Sequence, residues 1–402
     1  MATFLPQYPF AANPLLLFGL LLLAGYAGGE LVQRLLGVPR IVGYALVGLA
    51  LGASGLGVLD ARLVGEAWIF VDIALGLILF ELGCRLDLAW LRRDRWLAAT
   101  GVLESALAFV FVYGALVIFG VEPLVAAMAA AIGMATSPAV VIVVAQELRA
   151  EGQVTERALN LVAMNSVIAF VTATMLLSWI HHEYQAGVVM ALLHPLYLLA
   201  GSLLLGYGAA IAALALGRWL GKSERGQYVL ALALVVVVVG SARMLEVSAV
   251  LGVLAFGVLS RNLDARHDLM PFDVGRLGQL FVVVLFVVTS ATLKVGELVS
   301  GAALALAFVL ARFAGKSLGV LALTYLSGVR RGAAGLLCLA LTPMSVLAVA
   351  MVRGAGEMYP EFGARLAAIV LSAVIILDLV GPVAVQFALK RAGEAAPEET
   401  AR

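Results

Sequence analysis

Six ionisable side chains lie within or beside long apolar stretches of this sequence. They are Asp72, Glu81, Glu104, Arg312, Lys316 and Asp378. A charge at the centre of a membrane-spanning helix costs about 2.5–3.5 kcal/mol on insertion scales. Such residues therefore indicate a functional site, unless they form charge pairs that only fix helix packing. Glu81 is the leading candidate for a titrating acid, and the other three acids are secondary candidates.

The two basic residues of this set lie one turn apart. Arg312 and Lys316 occur in the segment LARFAGKSLG, so their cationic groups project from one face of a helix. Burial and a neighbouring cation shift the pKa of a carboxyl group in opposite directions, which permits titration at physiological pH. We expect Arg312 and Lys316 to balance charge beside a buried acid.

A polar interruption divides the apolar stretch over residues 131–170. Thr136 and Ser137 precede Pro138, and Asn165 and Ser166 lie at mid-depth in the apolar helix that follows. Proline removes a backbone donor and frees carbonyl groups that hydrocarbon cannot satisfy. The interruption indicates either a kink repaired by neighbouring helices or a broken helix that lines a site for an ion or small solute.

A second interruption at residues 341–345 places Thr342, Pro343 and Ser345 inside another apolar span. Both interruptions fall in the fifth of six helices if the repeats are 14–181 and 226–390, joined by a connector helix over 190–219. Because the connector is a single helix, the second repeat has the opposite orientation in the membrane to the first. Paired interruptions of this kind are typical of a transporter site between inverted repeats. Residues 391–402 form a polar tail, and we expect no soluble regulatory domain.

Composition identifies the class of protein. Of the 402 residues, 63% are hydrophobic and only 13% are charged, whereas soluble domains have roughly 45–50% and 25%. The net charge of +1 argues against nucleic-acid binding, and the two cysteines form neither a disulfide framework nor a metal cluster. The chain is predicted to be an all-α polytopic membrane protein that is not an enzyme and needs no cofactor.

At roughly 20 residues per span, the sequence predicts about thirteen transmembrane helices. The predicted ranges are 14–36, 39–57, 64–86, 96–119, 123–147, 157–181, 190–219, 226–244, 246–261, 275–294, 298–326, 331–353 and 364–390. Nineteen Lys and Arg residues fall at one side of this topology and five at the other. The positive-inside rule then places the N-terminus outside and the C-terminus in the cytoplasm, in the cell's inner (plasma) membrane.

Several sequence segments, in the same order along the chain, resemble those of the monovalent cation:proton antiporter superfamily, especially its Kef-type and NapA-type branch. They are VPRIVGYALVGLALG at 38–52, GLILFELGCRLDL at 76–88, ATSPAVVIVVAQEL at 135–148, EVSAVLGVLAFGVLSR at 246–261, the Arg312 segment and LDLVGPV at 377–383. The resemblance covers nearly the whole chain. It implies a homodimer with an NhaA/NapA-like fold, in which two inverted repeats cross at discontinuous helices and a six-helix core moves against a dimerisation domain.

The resemblance also implies exchange of Na+ or K+ for protons at a site that this sequence alters. Family members have an acidic pair, or Asn or Gln followed by Asp, in the sixth helix, and a basic residue in the eleventh. Asn165 and Arg312 match, but Ser166 stands at the position of the ion-binding Asp. A serine hydroxyl has no charge and does not release a proton near neutral pH.

Three explanations of Ser166 are open. Glu81 supplies the missing charge, since Phe80-Glu81 resembles the NhaP-type branch; or the substrate has changed to an anionic or organic solute bound at Arg312; or transport has been lost. The leading hypothesis is a cation:proton antiporter with Glu81 as the acid. Its predicted ion ligands are Thr136, Ser137, Asn165, Ser166 and Thr342. The alternatives are a carrier or uniporter for another solute and a non-transporting sensor or scaffold.

Overall fold

The structure is a computed structural model that describes residues 14–184, 188–221, 224–264, 269, 275–324 and 326–396. These residues form sixteen helices in chain order. They are α1 (Pro14–Leu36), α2 (Arg40–Leu51), α3 (Ala61–Arg85), α4 (Leu88–Arg93), α5 (Arg95–Ile118), α6 (Pro123–Met134), α7 (Pro138–Glu147), α8 (Gln153–Tyr184), α9 (Val188–Leu220), α10 (Glu224–Met244), α11 (Ala249–Leu263), α12 (Gly275–Ala291), α13 (Val295–Leu323), α14 (Arg331–Ala340), α15 (Val346–Met358) and α16 (Pro360–Ala392).

Thirteen membrane elements account for these helices. The pairs α6–α7 and α14–α15 are each one interrupted element, and α4, with 6 residues, is too short to cross a bilayer. Nine elements in the described ranges are long and apolar enough to span by themselves. The others are α2, α11 and α12, which are shorter apolar helices, and the broken pair α14–α15. The predicted all-α polytopic architecture and helix number are confirmed.

The largest error in the predicted helix ends is at the second helix. The second helix was expected to reach residue 57, but α2 ends at Leu51 and turns follow it. Gly52 packs directly on the backbone of Ala291, where a Cβ would lie 2.4 Å from the Ala291 carbonyl oxygen, and Gly57 adopts a φ of +65°. The glycines in this segment therefore serve a close backbone approach and a turn rather than a helix.

Twelve of the thirteen elements form two inverted repeats of six. The first contains α1, α2, α3, α5, α6–α7 and α8; the second contains α10, α11, α12, α13, α14–α15 and α16, with α9 between them. The interrupted element is the fifth in each repeat, as predicted. The repeat limits at residues 14–181 and 226–390 stay a prediction.

Two helix bundles build the molecule. The last three elements of each repeat, α5 to α8 and α13 to α16, pack against one another as a core bundle. The elements α1, α2, α3, α10, α11 and α12 pack together as a scaffold bundle, with α9 against α11. In the most apolar part of Pro123–Glu147, 89% of the residues are buried, against 22% in α1. Protein rather than lipid therefore surrounds the first broken element, which its interrupted backbone requires.

Candidate ion-translocation site

The two broken elements meet at their interruptions. Helix α6 ends at Met134 and α7 starts at Pro138, whose missing N–H is harmless at the first helical position. The backbone N–H of Ser137 donates to the carbonyl of Pro343 at 3.0 Å, and the hydroxyl of Thr136 donates to the carbonyl of Leu341 at 3.2 Å. The interruptions thus satisfy part of each other's backbone, and four half-helix ends converge at one point.

Arg312 binds the free carbonyl groups at this crossing. Its guanidinium, 1% exposed, reaches from α13 to the C-terminal ends of both α6 and α14. The acceptors are the carbonyl oxygens of Gly133 at 2.8 Å, Ala135 at 2.8 Å, Thr342 at 2.7 Å, Pro343 at 3.2 Å and Leu341 at 3.4 Å. The negative ends of two helix dipoles and five carbonyl oxygens therefore stabilise one buried cation.

Asn165 links the crossing to a buried acid. Its Oδ1 accepts from the backbone N–H of Thr136 at 3.0 Å, and its Nδ2 donates to the Thr136 hydroxyl at 3.1 Å. The same Nδ2 donates to Oε1 of Glu104 at 2.9 Å. Helix α8 therefore places an amide between the first interruption and a carboxylate of α5.

Glu104 forms the deepest ion pair among the described residues. Its Oε2 lies 2.7 Å from Nζ of Lys316, and the two side chains are 0% and 2% exposed. Gly319 permits this approach of α5 and α13, because a Cβ there would lie 2.3 Å from the Glu104 Cα. A carboxylate, an ammonium, an amide and a hydroxyl thus form one continuous polar network in the core bundle.

The sequence comparison identifies the family. Residues 18–391 match the family model described as "Sodium/hydrogen exchanger, transmembrane". The chain belongs to the sodium/hydrogen exchanger family. Membership makes it a multi-pass membrane protein of a transporter family whose activity is cation/proton antiport, in contact with the lipid bilayer and ions. No curated protein sequence matches this exchanger significantly.

Solved structures share the fold of this exchanger. A structure of the sodium proton antiporter MjNhaP1 from Methanocaldococcus jannaschii at pH 8 is 18% identical, with a TM-score of 0.63 over 94% of this chain and 95% of that one. A structure of the same antiporter from electron microscopy is 19% identical, with a TM-score of 0.67 over 94% and 98% of the two chains. The predicted antiporter fold with crossed discontinuous helices is confirmed.

Glu81 lies away from the crossing of this exchanger. Its carboxylate, 0% exposed, accepts from Arg85 at 2.8 Å on its own helix and from Gln146 Nε2 at 3.1 Å. Gln146 is nine residues beyond Ser137 along α7, which corresponds to about 13 Å of helix. Glu81 therefore joins α3 to the far end of α7. Its role as the titrating acid stays a prediction, and the acid that is connected to the crossing through Asn165 is Glu104.

The other predicted residues divide between the crossing and the rest of the exchanger. Ser137 caps α7 by accepting from Val140 N–H at 3.5 Å, and Ser166 donates to the carbonyl of Val162 at 2.7 Å in its own helix. Thr342 donates its hydroxyl to the carbonyl of Cys338 at 3.5 Å. Asp72 pairs with Arg243 of α10 in the scaffold bundle. Asp378 lies on α16 beside the second interruption.

Glu104 and Lys316 were both predicted from the sequence as candidate site residues, but their pairing was not predicted. Their positions could have indicated the pairing, because α5 and α13 are the fourth elements of the two inverted repeats and are related by the repeat symmetry. Gln146 and Ser345 were not named as site residues. The four-residue spacing of Glu81 and Arg85 was a readable sign that this acid has a partner on its own helix.

Proposed function

We propose that this exchanger transports Na+ or K+ against protons by alternating access, and that Glu104 and Lys316 carry the exchange. The observation that supports this is the fully buried pair of carboxylate and ammonium at 2.7 Å, connected through Asn165 to the crossed interruptions. Glu104 thereby replaces the acid that is missing at Ser166. The hard oxygen ligands of Glu104, Asn165 and Thr136 suit an alkali cation.

The chemistry is a competition for one carboxylate. In the resting pair the Lys316 ammonium neutralises Glu104. An incoming Na+ or K+ that binds the Glu104 oxygens displaces the ammonium, and a buried ammonium without a counter-charge is costly. The displaced Lys316 therefore releases H+ and becomes a neutral amine. One cation enters and one proton leaves, and the reverse steps release the cation on the other side.

Alternating access requires contacts between the two bundles that form and break. At one end, Gln33 of α1 donates to Glu147 of α7 at 2.6 Å, and Glu81 contacts Gln146. At the other end, the Arg353 guanidinium of α15 lies 4.2 Å from the ring centre of Trp68 in α3. Both ends join the core bundle to the scaffold bundle. Opening either end exposes the crossing to one side of the membrane.

The geometry disfavours an anion carrier. That alternative uses Arg312 as the anion anchor, but all its donor groups face carbonyl oxygens of the crossing. An anion would have to displace those bonds and leave buried carbonyls unsatisfied, at about 1–3 kcal/mol each. Arg312 therefore acts in the proposed mechanism as a structural cation that holds the interruptions together.

Proteoliposomes with an imposed pH gradient test the proposal. We expect Na+ or K+ to dissipate the gradient through the wild-type protein, and Glu104→Gln to abolish this flux. Glu66→Gln is the matched control, because Glu66 forms a partly exposed pair with Arg62 at 3.0 Å. No proton movement with Na+, K+ or Li+ between pH 6 and 9 would refute the exchange itself.

A second comparison separates the two candidate acids. If Glu81→Gln removes the pH dependence of exchange while Glu104→Gln keeps it, the proton is carried at Glu81 and our assignment is wrong. Retained exchange in Glu81→Gln with loss in Glu104→Gln supports the assignment.

The homodimer, the plasma-membrane location and the cytoplasmic C-terminus belong to the same proposal. They rest on the family resemblance and on the uneven distribution of Lys and Arg. Mass measurement of the detergent-solubilised protein tests the dimer. Labelling of single cysteines at positions 62 and 390 from either side of intact cells tests the orientation, since we expect only position 62 to react with an impermeant reagent outside.

A further inference from the structure

A second buried acid lies beside the other interruption. Asp378 of α16 is 3% exposed, and its Oδ1 has no hydrogen-bond partner among the described residues. The side chain that faces it is Ser345, itself 1% exposed, whose hydroxyl is also without a partner in that part of the chain. Two unsatisfied polar groups thus lie together in the core bundle.

Close packing of backbones holds this pair in place. Gly381, three residues after Asp378, abuts the second interruption, and a Cβ there would lie 2.8 Å from the Cα of Pro343. Ser345 immediately precedes α15 and makes no side-chain capping bond, whereas Ser137 caps α7 at the first interruption. Asp378 therefore lies beside the uncapped N-terminus of α15, whose free N–H groups favour negative charge.

The repeat symmetry gives this arrangement a counterpart. In the first repeat, the sixth element α8 contributes Asn165 to the interruption at Thr136. In the second repeat, the sixth element α16 contributes Asp378 to the interruption at Ser345. The first residue is neutral and fully hydrogen-bonded, while the second is an acid with an unused oxygen. The two halves of the crossing are therefore chemically different.

No basic residue of the core bundle compensates Asp378. Arg312 is engaged by carbonyl groups and Lys316 by Glu104, and no charged side chain in the described ranges faces the Asp378 carboxyl. An ionised carboxylate that is buried without a counter-charge is strongly destabilised by its loss of hydration. A bound proton removes that cost in the closed conformation, and the N-terminus of α15 and water stabilise the carboxylate when the site opens.

We propose that Asp378 with Ser345 is a second proton-carrying site of this exchanger. This inference rests on the proposed function. In the closed state, Asp378 carries a proton and lies beside the Ser345 hydroxyl. On opening, the O–H bond breaks, the proton goes to water, and the carboxylate keeps the electron pair. The cycle then moves one proton at Lys316 and another at Asp378 for each cation, so exchange transfers net charge.

The number of protons per cation tests this site. In proteoliposomes, the pH gradient that just balances a fixed cation gradient gives the coupling ratio, and a clamped membrane potential shows whether net charge moves. We expect two protons per cation for the wild type. Asp378→Asn mimics the protonated acid, so we expect continued exchange at one proton per cation and no response to the potential. Ser372→Ala is the control, since Ser372 lies buried on the same helix and donates to the carbonyl of Ala368 at 2.6 Å.

The outcomes are separable from those for the main proposal. No exchange by the wild-type protein refutes the proposed function. Wild-type exchange at one proton per cation, or an unchanged ratio of two in Asp378→Asn, refutes only the second site. If Asp378→Asn does not fold, Ser345→Ala replaces it. Infrared difference spectra must then show a protonated carboxyl C=O band in the wild type that shifts in Ser345→Ala, and an unshifted or absent band overturns the proposal.

Discussion

Lys316 Nζ lies 2.7 Å from Glu104 Oε2, although 212 residues separate the two along the chain. Removing one member of such a buried pair leaves an uncompensated charge, which costs about 3–5 kcal/mol. We therefore expect Lys316→Met alone to lower the Tm strongly. Adding Glu104→Gln should recover most of the lost Tm, because no charge is then left unpaired, while exchange stays absent. Thermal unfolding in detergent and proteoliposome flux measure the two effects. A double variant as unstable as Lys316→Met would show that the pair is not the source of the loss.

Arg312→Lys is expected to destabilise the crossing. A lysine has three donors on a flexible stem and cannot reproduce the planar fork that contacts five carbonyl oxygens. Each buried carbonyl left without a donor costs about 1–3 kcal/mol, so we expect a marked fall in Tm and loss of exchange. Arg365→Lys is the control, because Arg365 forms an exposed pair with Glu122. Equal Tm values for the two variants would contradict the role given to Arg312.

Gly319 is expected to tolerate no side chain. An added Cβ would lie 2.3 Å from the Cα and 2.6 Å from the backbone nitrogen of Glu104, so α5 and α13 would have to separate. We expect Gly319→Ala to reduce exchange severalfold and to lower the Tm. Gly335→Ala in α14 is the control, since nothing lies within 4 Å of its added Cβ. That change removes a flexible residue from a helix and should preserve or raise stability.

Glu394 is expected to hold the start of α8. Its carboxylate accepts from the backbone N–H groups of Val154 and Thr155 at 2.7 and 2.8 Å, and from the Thr155 hydroxyl at 2.8 Å. A side chain from beyond α16 thus caps the helix that contains Asn165. We expect Glu394→Ala to cost about 1–2 kcal/mol, as for other N-cap losses, and to speed amide hydrogen exchange at residues 153–156. If the amide hydrogen-exchange rates at residues 153–156 are the same in Glu394→Ala as in the wild type, Glu394 does not cap α8.

The contact between Gln33 and Glu147 is expected to break during transport. Cysteines at these two positions, in a background without the free Cys84 and Cys338, can be joined by a short thiol-specific crosslinker. We expect the crosslink to stop exchange and its cleavage to restore it, because it ties α7 of the core bundle to α1 of the scaffold bundle. Undiminished exchange in fully crosslinked protein would place the moving boundary elsewhere.

The sequence predicted the membrane elements because their signal is local. Apolar length and proline position depend on residues close together in the chain, so the thirteen elements and both interruptions could be predicted before any contact was known. Helix α2 is the exception, because Gly52 packs on Ala291, which is far from it along the chain. Propensity alone did not show that the helix had to end at Leu51.

The candidate site was predicted as a set of residues but not as a set of partners. Arg312, Asn165 and Thr136 were named, yet five carbonyl acceptors for Arg312 exist only because two distant interruptions meet. Glu81 was the leading acid because Phe80-Glu81 resembles the NhaP-type branch, in which this helix contributes an acid to the ion site. Its contacts with Arg85 and Gln146, near the end of α7, separate it from the crossing.

By itself, the sequence determined that this chain crosses a membrane in two similar halves, each interrupted at a proline, with a few buried charges. Hydrophobic length and backbone chemistry suffice for that. Only the tertiary structure decided which charges compensate one another. The attraction between two buried charges depends on distance in space and on local solvation, neither of which the order of residues contains. The tertiary structure pairs Glu104 with Lys316, surrounds Arg312 with carbonyl groups, and places Asp378 opposite Ser345.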